Sequence, residues 1–438
     1  MTRSLDDWLA YISAQHPNTI ALGLDRVREV WVRLVVPAEA GTQTVRSRGS
    51  GWAPAFAGAT RVVTIGGTNG KGSTCAILER ILLDAGYRVG LYTSPHLIRY
   101  NERVRIQGEE ASDEALADAF ERVESARGST ELTYFEFGTL SALDLFSRAN
   151  LDVAILEVGL GGRLDAVNII DADVAAVVSV DLDHQSFLGN DRESIGFEKA
   201  GIYRKDRPAL FGDTNPPQRL VDHAHAIGAD LELLGRDFRF ESHSRQWDFI
   251  GRRSTKRALP LPALNGRWQL KNASVALAAL DEIASHCPVS IGEVKRGLTN
   301  VRLPGRLQVL PGRPSVVLDV AHNPHAARAL ADGLGDMGFF ERTIAVFAML
   351  GDKDIGGVID AMRGRVDLWF VASVAAERAA PAQRIASLLA ERGLSAATRT
   401  FATVDAALQE ARREAGPNDR ILVFGSFYTV ADALRPDR

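Results

Sequence analysis

Cysteine is nearly absent from this chain of 438 residues. Cys75 and Cys287 are the only two. Two distant thiols form neither a disulfide framework nor a zinc motif, and they fit a reducing compartment. Long apolar runs are missing too. None approaches the ~20 residues that a membrane span needs. The opening Met1–Asp7 lacks the apolar core of a signal peptide. A cytoplasmic protein is therefore expected. There is no basic surplus: the net charge of -4 advertises neither nucleic acid nor an anionic membrane as a partner. Lysine is scarce, with seven of the 51 basic residues: Lys71, Lys199, Lys205, Lys256, Lys271, Lys295 and Lys353. A chain that uses arginine almost everywhere keeps lysine where a compact ammonium, or an amine able to lose its proton, is needed.

What is present is an ordinary globular composition, 46% hydrophobic and 24% charged, long enough for two or three domains. Its most informative stretch runs from Val62 to Thr74. A β-branched strand enters the turn Gly66-Gly67-Thr68-Asn69-Gly70-Lys71-Gly72-Ser73-Thr74. A helical pattern follows, with Ile77, Leu78, Ile81 and Leu82 on one face and Gly86 as the stop. Backbone N–H groups of such a loop point at phosphates, Lys71 adds charge, and Ser73 or Thr74 reaches Mg²⁺. A nucleoside triphosphate is the expected ligand. The spacing departs from the general phosphate loop, because Ile65 stands where the first glycine belongs and Gly72 separates Lys71 from Ser73.

Residues 4–34 read as helix-rich. Residues 37–60 break the pattern: Pro37-Ala-Glu-Ala-Gly-Thr is echoed at Pro54-Ala-Phe-Ala-Gly-Ala-Thr without amphipathic period. This stretch is expected to be a poorly ordered, dispensable insert. Strand runs near 62–66, 89–93, 152–158, 174–180 and 208–211 alternate with helices, which implies a parallel sheet covered on both faces. After a Pro/Gly-rich junction at 303–312, strands near 316–320, 343–349, 368–372 and 420–424 repeat the alternation. The fold class is thus α/β: a parallel-sheet ATPase domain, residues 1–303, followed by a smaller Rossmann-like α/β domain, residues 304–438.

Ligands of parallel sheets bind beyond the carboxyl ends of the strands. Ser94-Pro95-His96, Glu157, and Asp181-Leu182-Asp183-His184 stand there in the first domain. Glu157 suits a Mg²⁺ ligand, though a carboxylate at a strand end also caps helices or pairs with a residue such as Arg163. His184 reads either as a satisfied loop polar group or, with Asp181 and Asp183 beside it, as part of a cation site. Lys199, in Gly196-Phe-Glu-Lys-Ala-Gly201, reads as the basic last turn of a helix or as a functional amine. In the second domain Asp319-Val-Ala-His322-Asn323-Pro324, Gly351–Asp354 and Gly425–Phe427 follow three successive strands.

These residues resemble the Mur-type ligases, which join a carboxylate to an amine using ATP. The loop Gly67–Thr74 is the form found in that group. Thr93–Leu97, Thr133–Phe137, Glu157–Asp165 and Asp319–Pro324 resemble the dihydrofolate synthase/folylpolyglutamate synthase branch. The likeness spans nearly the whole chain except 37–60. It implies that Asn69, Gly70, Lys71, Gly72 and Ser73 hold ATP phosphates, and that Asn272, Arg306 and Asp319 add nucleotide contacts across the domain junction. It implies one Mg²⁺ on Ser94 and Glu157 and a second on His184. Lys199 matches a lysine carried as a carbamate (N6-carboxylysine). Thr133, Tyr134, Phe135, Glu136 and Asp165 would line the pterin-bearing site, and His322 would face the reaction centre, with Lys71 and Lys199 as the other catalytic residues.

The implied reaction is ligation of L-glutamate to dihydropteroate and to reduced folates through an acyl phosphate. A monomer with small-molecule partners is expected. Two neighbouring readings share the ATP and metal motifs: a folylpolyglutamate synthase alone, and another Mur-type ligase. A cell-wall ligase would carry a sizeable domain before the phosphate loop, where this chain has about 60 residues. A nucleotide switch without ligase chemistry would not need the set Ser94, Glu157, His184 and Asp319.

Overall fold

The structure is a computed structural model that describes residues 3–16, 20–35 and 60–435. Of the expected insert, residues 37–59 lie outside the described residues. Thr60 is described, and its hydroxyl donates to the Leu151 carbonyl at 2.7 Å beside the first strand. The chain divides into two compact units, Met1–Pro262 with Leu270–Val301, and Ala263–Gln269 with Arg302–Arg438.

The first unit is built on eight strands: β1 (Arg61–Gly66), β2 (Val89–Tyr92), β3 (Val104–Ile106), β4 (Glu109–Glu110), β5 (Val153–Glu157), β6 (Val174–Val177), β7 (Pro208–Phe211) and β8 (Asp230–Leu233). Their order is β4-β3-β2-β5-β1-β6-β7-β8. From β2 to β8 every neighbouring pair is parallel; β3 and β4 extend the edge antiparallel. β1, β2, β5 and β6 are buried along almost their full length, as continuous apolar runs between two helical layers require. The chain leaves β1 toward β2 on one side and leaves β5 toward β6 on the other. The crevice beyond this divergence is where ligands bind in such sheets.

Helices cover both faces. The interior helix Lys71–Asp84 is buried from Ser73 to Glu79 and again at Ile81 and Leu82. Its neighbour Ile291–Asn300 approaches at Gly297, where a side-chain methyl would collide with Ile81. The other face packs Trp8, Ile12, Trp31, Phe120 and Phe137 into one core with β5 and β6. Those residues come from the helices Leu5–Ser13, Asp25–Val35, Asp113–Arg127 and Tyr134–Arg148. A separate antiparallel sheet, β9 (Arg239–Ser242), β10 (Gln246–Ile250) and β11 (Thr255–Pro260), was not anticipated from the sequence.

The second unit carries β12 (Gln308–Leu310), β13 (Ser315–Asp319), β14 (Thr343–Phe347), β15 (Leu368–Val371), β16 (Thr398–Thr400) and β17 (Arg420–Phe424), in the order β12-β13-β17-β14-β15-β16. Only β12 runs antiparallel. Phe347 stacks on Phe424 with ring centroids 4.6 Å apart, and Trp369 meets Phe347 edge-on at 5.4 Å. These rings centre a core that the helices Pro324–Asp336, Ile355–Met362 and Ala382–Ala390 close. Among the described residues, no helix is long and apolar enough to cross a membrane.

Candidate active site

The phosphate loop is held from below by the strand next door. Register pairs Gly66 of β1 with Val177 of β6, so the loop and the segment after β6 leave the sheet together. Thr68 N–H donates to the Ser179 carbonyl at 2.8 Å. The Ser179 hydroxyl accepts from Asn69 N–H and donates to the Asn69 carbonyl, each at 3.0 Å. Asp181 N–H donates to the Thr68 hydroxyl at 3.0 Å, and that hydroxyl donates to the Asp181 carbonyl at 3.1 Å. Gly67 and Gly70 have φ of +146° and +87°, values that favour glycine. At Gly70 an added Cβ would lie 2.5 Å from Asn272 Oδ1 and 2.8 Å from Val178 Cγ1. The glycine therefore makes room for Asn272, a buried residue of the helix Gln269–Ile283.

Lys71 opens the helix that follows, with Gly72 in its first turn and Ser73 buried behind it. Its ammonium folds back on the loop, donating to the Gly67 carbonyl at 3.1 Å and the Thr68 carbonyl at 3.5 Å. The cation thus closes the ring of backbone groups whose N–H bonds would receive phosphate oxygens.

Glu157 ends β5, which lies between β1 and β2, and is 5% exposed. Its Oε2 accepts from Ser94 N–H at 3.2 Å, so Ser94, after β2, is tied to the carboxylate. Hard oxygen donors at adjacent strand ends, beside a phosphate loop, suit Mg²⁺. Among the described residues there is no group of three or more His, Cys, Asp and Glu able to hold a metal. His184 stands at the start of a short turn of helix after β6, and its Nε2 lies 3.9 Å from Asp183 Oδ1.

Lys199 is buried in the helix Arg192–Ala200. Burial, with Lys71 nearby, lowers its amine to about 7, against the partial opposition of Asp183 and Asp165. Lysines 71 and 199 thus share one electrostatic environment, which separates Lys199 from an ordinary last-turn lysine. The glycine-rich turn after β5 packs onto this helix. A Cβ at Gly162 would meet the Lys199 carbonyl at 2.8 Å, and Arg163 pairs with Glu198 at 2.8 Å.

The residues expected to meet the pterin-bearing substrate are placed as follows. Thr133 and Glu136 form a reciprocal cap at the start of the helix Tyr134–Arg148. Thr133 N–H donates to Glu136 Oε2 at 2.8 Å, and Glu136 N–H to Thr133 Oγ1 at 3.2 Å. Both side chains therefore hold the helix start. Phe135 lies over Gly159, where an added Cβ would come within 2.5 Å of its ring. Asp165 is buried and accepts from Leu160 N–H at 2.8 Å and Val167 N–H at 3.1 Å; burial raises its carboxyl to about 6.

Two arginines here were not singled out by the sequence reading. Arg26 donates to Glu136 Oε1 at 2.7 Å and to the Ala21 carbonyl at 3.0 Å, which brings Ala21–Arg26 to the capped helix. Arg103 donates from Nε to His96 Nδ1 at 2.9 Å and lies 5.5 Å from the Tyr134 ring centroid. Burial and Arg103 lower His96 to about 4, so its ring is neutral near pH 7 and accepts that bond.

In the second unit Asp319 ends β13. Its oxygens accept from Leu307 N–H at 2.7 Å and Ala321 N–H at 2.8 Å. Burial raises its carboxyl, and Arg306 opposes the rise. The Arg306 guanidinium lies 5.1 Å from the Phe427 ring centroid, and His322 lies 6.3 Å from it. His322 Nδ1 bonds the Val320 carbonyl at 2.9 Å; a carbonyl only accepts, so Nδ1 carries a proton.

A family model described as "Mur ligase, glutamate ligase domain" matches residues 305–427. The chain is 44% identical to dihydrofolate synthase/folylpolyglutamate synthase of Escherichia coli, over 98% of this chain and 94% of the relative. It is 38% identical to the protein of that name from Haemophilus influenzae, over 98% and 97%. Among solved structures it resembles E. coli FolC in complex with DHPP and ADP, with a TM-score of 0.89 and 44% identity, covering 99% and 97% of the two chains. A bifunctional folylpolyglutamate synthase/dihydrofolate synthase with Mn, AMPPNP and L-glutamate bound gives a TM-score of 0.86 at 44% identity, covering 99% and 98%.

Proposed function

The chain belongs to the dihydrofolate synthase/folylpolyglutamate synthase family of Mur-type ligases, and on that premise we propose that it joins L-glutamate to dihydropteroate and to reduced folates at the expense of ATP. The observation that carries this reading is the convergence at four adjacent strand ends: the Gly67–Gly72 loop, Ser94 with Glu157, and the segment Ser179–His184, with buried Lys199 sharing the field of Lys71.

The acceptor carboxylate attacks the γ-phosphorus, its oxygen–phosphorus bond forms as the bond to ADP breaks, and an acyl phosphate results. The glutamate amine then attacks the acyl carbon, phosphate leaves with the former carboxylate oxygen, and the amine loses a proton. Loop N–H groups from Asn69 to Ser73 and the Lys71 ammonium stabilise charge on the transferring group. Ser94 and Glu157 would hold one Mg²⁺ and His184 a second. The ions supply charge neutralisation on the phosphates.

Lys199 serves as the carbamate in this reading. Its neutral amine adds to CO₂, a C–N bond forms, and one proton leaves, which replaces a neutral amine with an anion whose oxygens would suit Mg²⁺. An amine titrating near 7 has the free base this step needs. Asn272, Arg306 and Asp319 are assigned to the nucleotide, and His322 to the reacting groups. Tyr134 and Phe135 are assigned to the pterin-bearing substrate, with Thr133, Glu136 and Asp165 shaping the site. Residues 1–303 make up the ATP-binding domain and 304–438 the glutamate ligase domain, in a cytoplasmic monomer.

The test is ADP release with dihydropteroate or tetrahydrofolate as acceptor, each with L-glutamate. Glutamate-dependent release with both supports the bifunctional reading. Release with tetrahydrofolate alone makes the chain a folylpolyglutamate synthase only. Nucleotide binding without turnover on either removes the ligase assignment.

A further inference from the structure

The sheet of the second unit has a carboxyl end, where Asp319 and Phe424 stand, and an amino end, where Thr343 and Arg420 begin β14 and β17. At about 3.3 Å per residue, the two ends of a five-residue strand lie about 13 Å apart. A cavity of about 300 Å³ opens at the amino end, lined by Arg420, Arg363, Arg365, Asp367, Phe339 and Phe340 among others. None of these residues enters the ligase chemistry.

Arg420 is 5% exposed. Its guanidinium donates to Thr343 Oγ1 from Nε at 3.2 Å and from Nη2 at 2.9 Å, and from Nη1 to the Leu334 carbonyl at 2.9 Å. A guanidinium carries five N–H bonds, so two remain without an acceptor among the described residues. Arg420, Arg363 and Arg365 make no ion pair among the described residues, whereas most arginines of this chain do. Burial, with Arg365 beside it, pulls Arg420 down to about 10. The one carboxylate lining the cavity is Asp367, whose Oδ2 accepts from Thr343 N–H at 2.7 Å. Three guanidiniums against one carboxylate leave an uncompensated positive cavity. Guanidinium forks match phosphate oxygens in shape and charge. Aromatic faces complete the lining: Phe340 lies 4.7 Å under the Arg420 guanidinium, and Phe339 is 88% exposed.

We propose that this cavity binds a phosphate monoester carried on a planar ring, the phosphate on Arg363, Arg365 and Arg420 and the ring on Phe339. The site is independent of the phosphate loop of the first unit. Phenyl phosphate and inorganic phosphate are the probes, titrated calorimetrically into the full chain saturated with ADP and Mg²⁺. One phenyl phosphate binds per chain, more tightly than inorganic phosphate. Arg363→Ser and Arg365→Ser, both exposed positions that leave the fold intact, weaken both probes at least tenfold. Phe339→Ala brings phenyl phosphate down to the affinity of inorganic phosphate, and Lys71→Ala changes neither. Absence of binding, binding unaltered by the arginine variants, or binding lost in Lys71→Ala would overturn the site. Equal affinity for the two probes in the parent chain would overturn the assignment of the ring.

Discussion

The hydroxyl of Ser179 bonds both backbone groups of Asn69, each at 3.0 Å, and so clamps the phosphate loop to the strand end that leads to His184. The loop's N–H groups are useful only while they point at the phosphates, and this serine fixes their direction. Ser179→Ala removes two hydrogen bonds worth about 1 kcal/mol each. The variant is expected to lose about tenfold in kcat/KM for ATP, with KM for dihydropteroate unchanged. Steady-state kinetics with each substrate varied in turn will separate the two.

Gly70→Ala places a methyl against Asn272 and Val178 at a left-handed φ of +87°. The backbone strain alone costs about 1–2 kcal/mol. The loop is expected to reopen and nucleotide affinity to fall more than tenfold, as an ADP titration will read. Gly86→Ala, also at positive φ but with open space around it, is the control that costs stability and spares ADP binding.

Among the described residues, the Lys71 ammonium donates only to the Gly67 and Thr68 carbonyls. Lys71→Ala should therefore leave the thermal midpoint nearly unchanged while turnover falls by about 10² to 10³, the usual effect of losing one preorganised electrostatic group. Matched melting curves and ADP-release rates check both halves of that statement.

Lys199 gives a pH signature. Its folded amine titrates at about 7 against an ordinary 10.5. Below pH 7 both folded and unfolded chains hold the proton, and the buried ammonium imposes its full cost. Between 7 and 10.5 only the unfolded chain holds it, so stability rises with pH. In CO₂-free buffer Lys199→Met should thus be more stable than the parent at pH 6, on the order of 5 kcal/mol at most, and the advantage should fade by pH 10. Denaturant melts across that range will read it. The same variant is expected to be inactive. A ¹³C carbamate signal in the parent with labelled bicarbonate, absent in the variant, checks the modification itself.

The strands that build the sites were legible because β1, β5, β6, β14 and β17 are buried on both faces and read as unbroken apolar runs. The edge elements were not. β9 and β11 mix exposed Arg239, Glu241 and Arg257 and part-buried Lys256 with a few apolar residues, and β3 and β4 are three and two residues long. Thr133 and Glu136 carry a capping-box spacing that was readable as a helix start, and the structure gives both side chains that task. Lys199 stood out because lysine is rare. Arg26 and Arg103 did not, since arginine is everywhere and only tertiary packing shows which guanidiniums turn inward. Nor could a linear pattern reveal that Ser179 and Thr68 interlock, because their pairing depends on strand order.

In the proposed ligase reaction the acceptor carboxylate is activated as an acyl phosphate. Dihydropteroate labelled with ¹⁸O in its carboxylate, incubated with ATP, Mg²⁺ and L-glutamate, tests it directly when the released phosphate is analysed by ³¹P NMR or mass. Each released phosphate is expected to carry one ¹⁸O, transferred from the carboxylate as the amide forms. Unlabelled phosphate would mean that water, not the substrate carboxylate, attacks ATP, and would contradict the ligase mechanism.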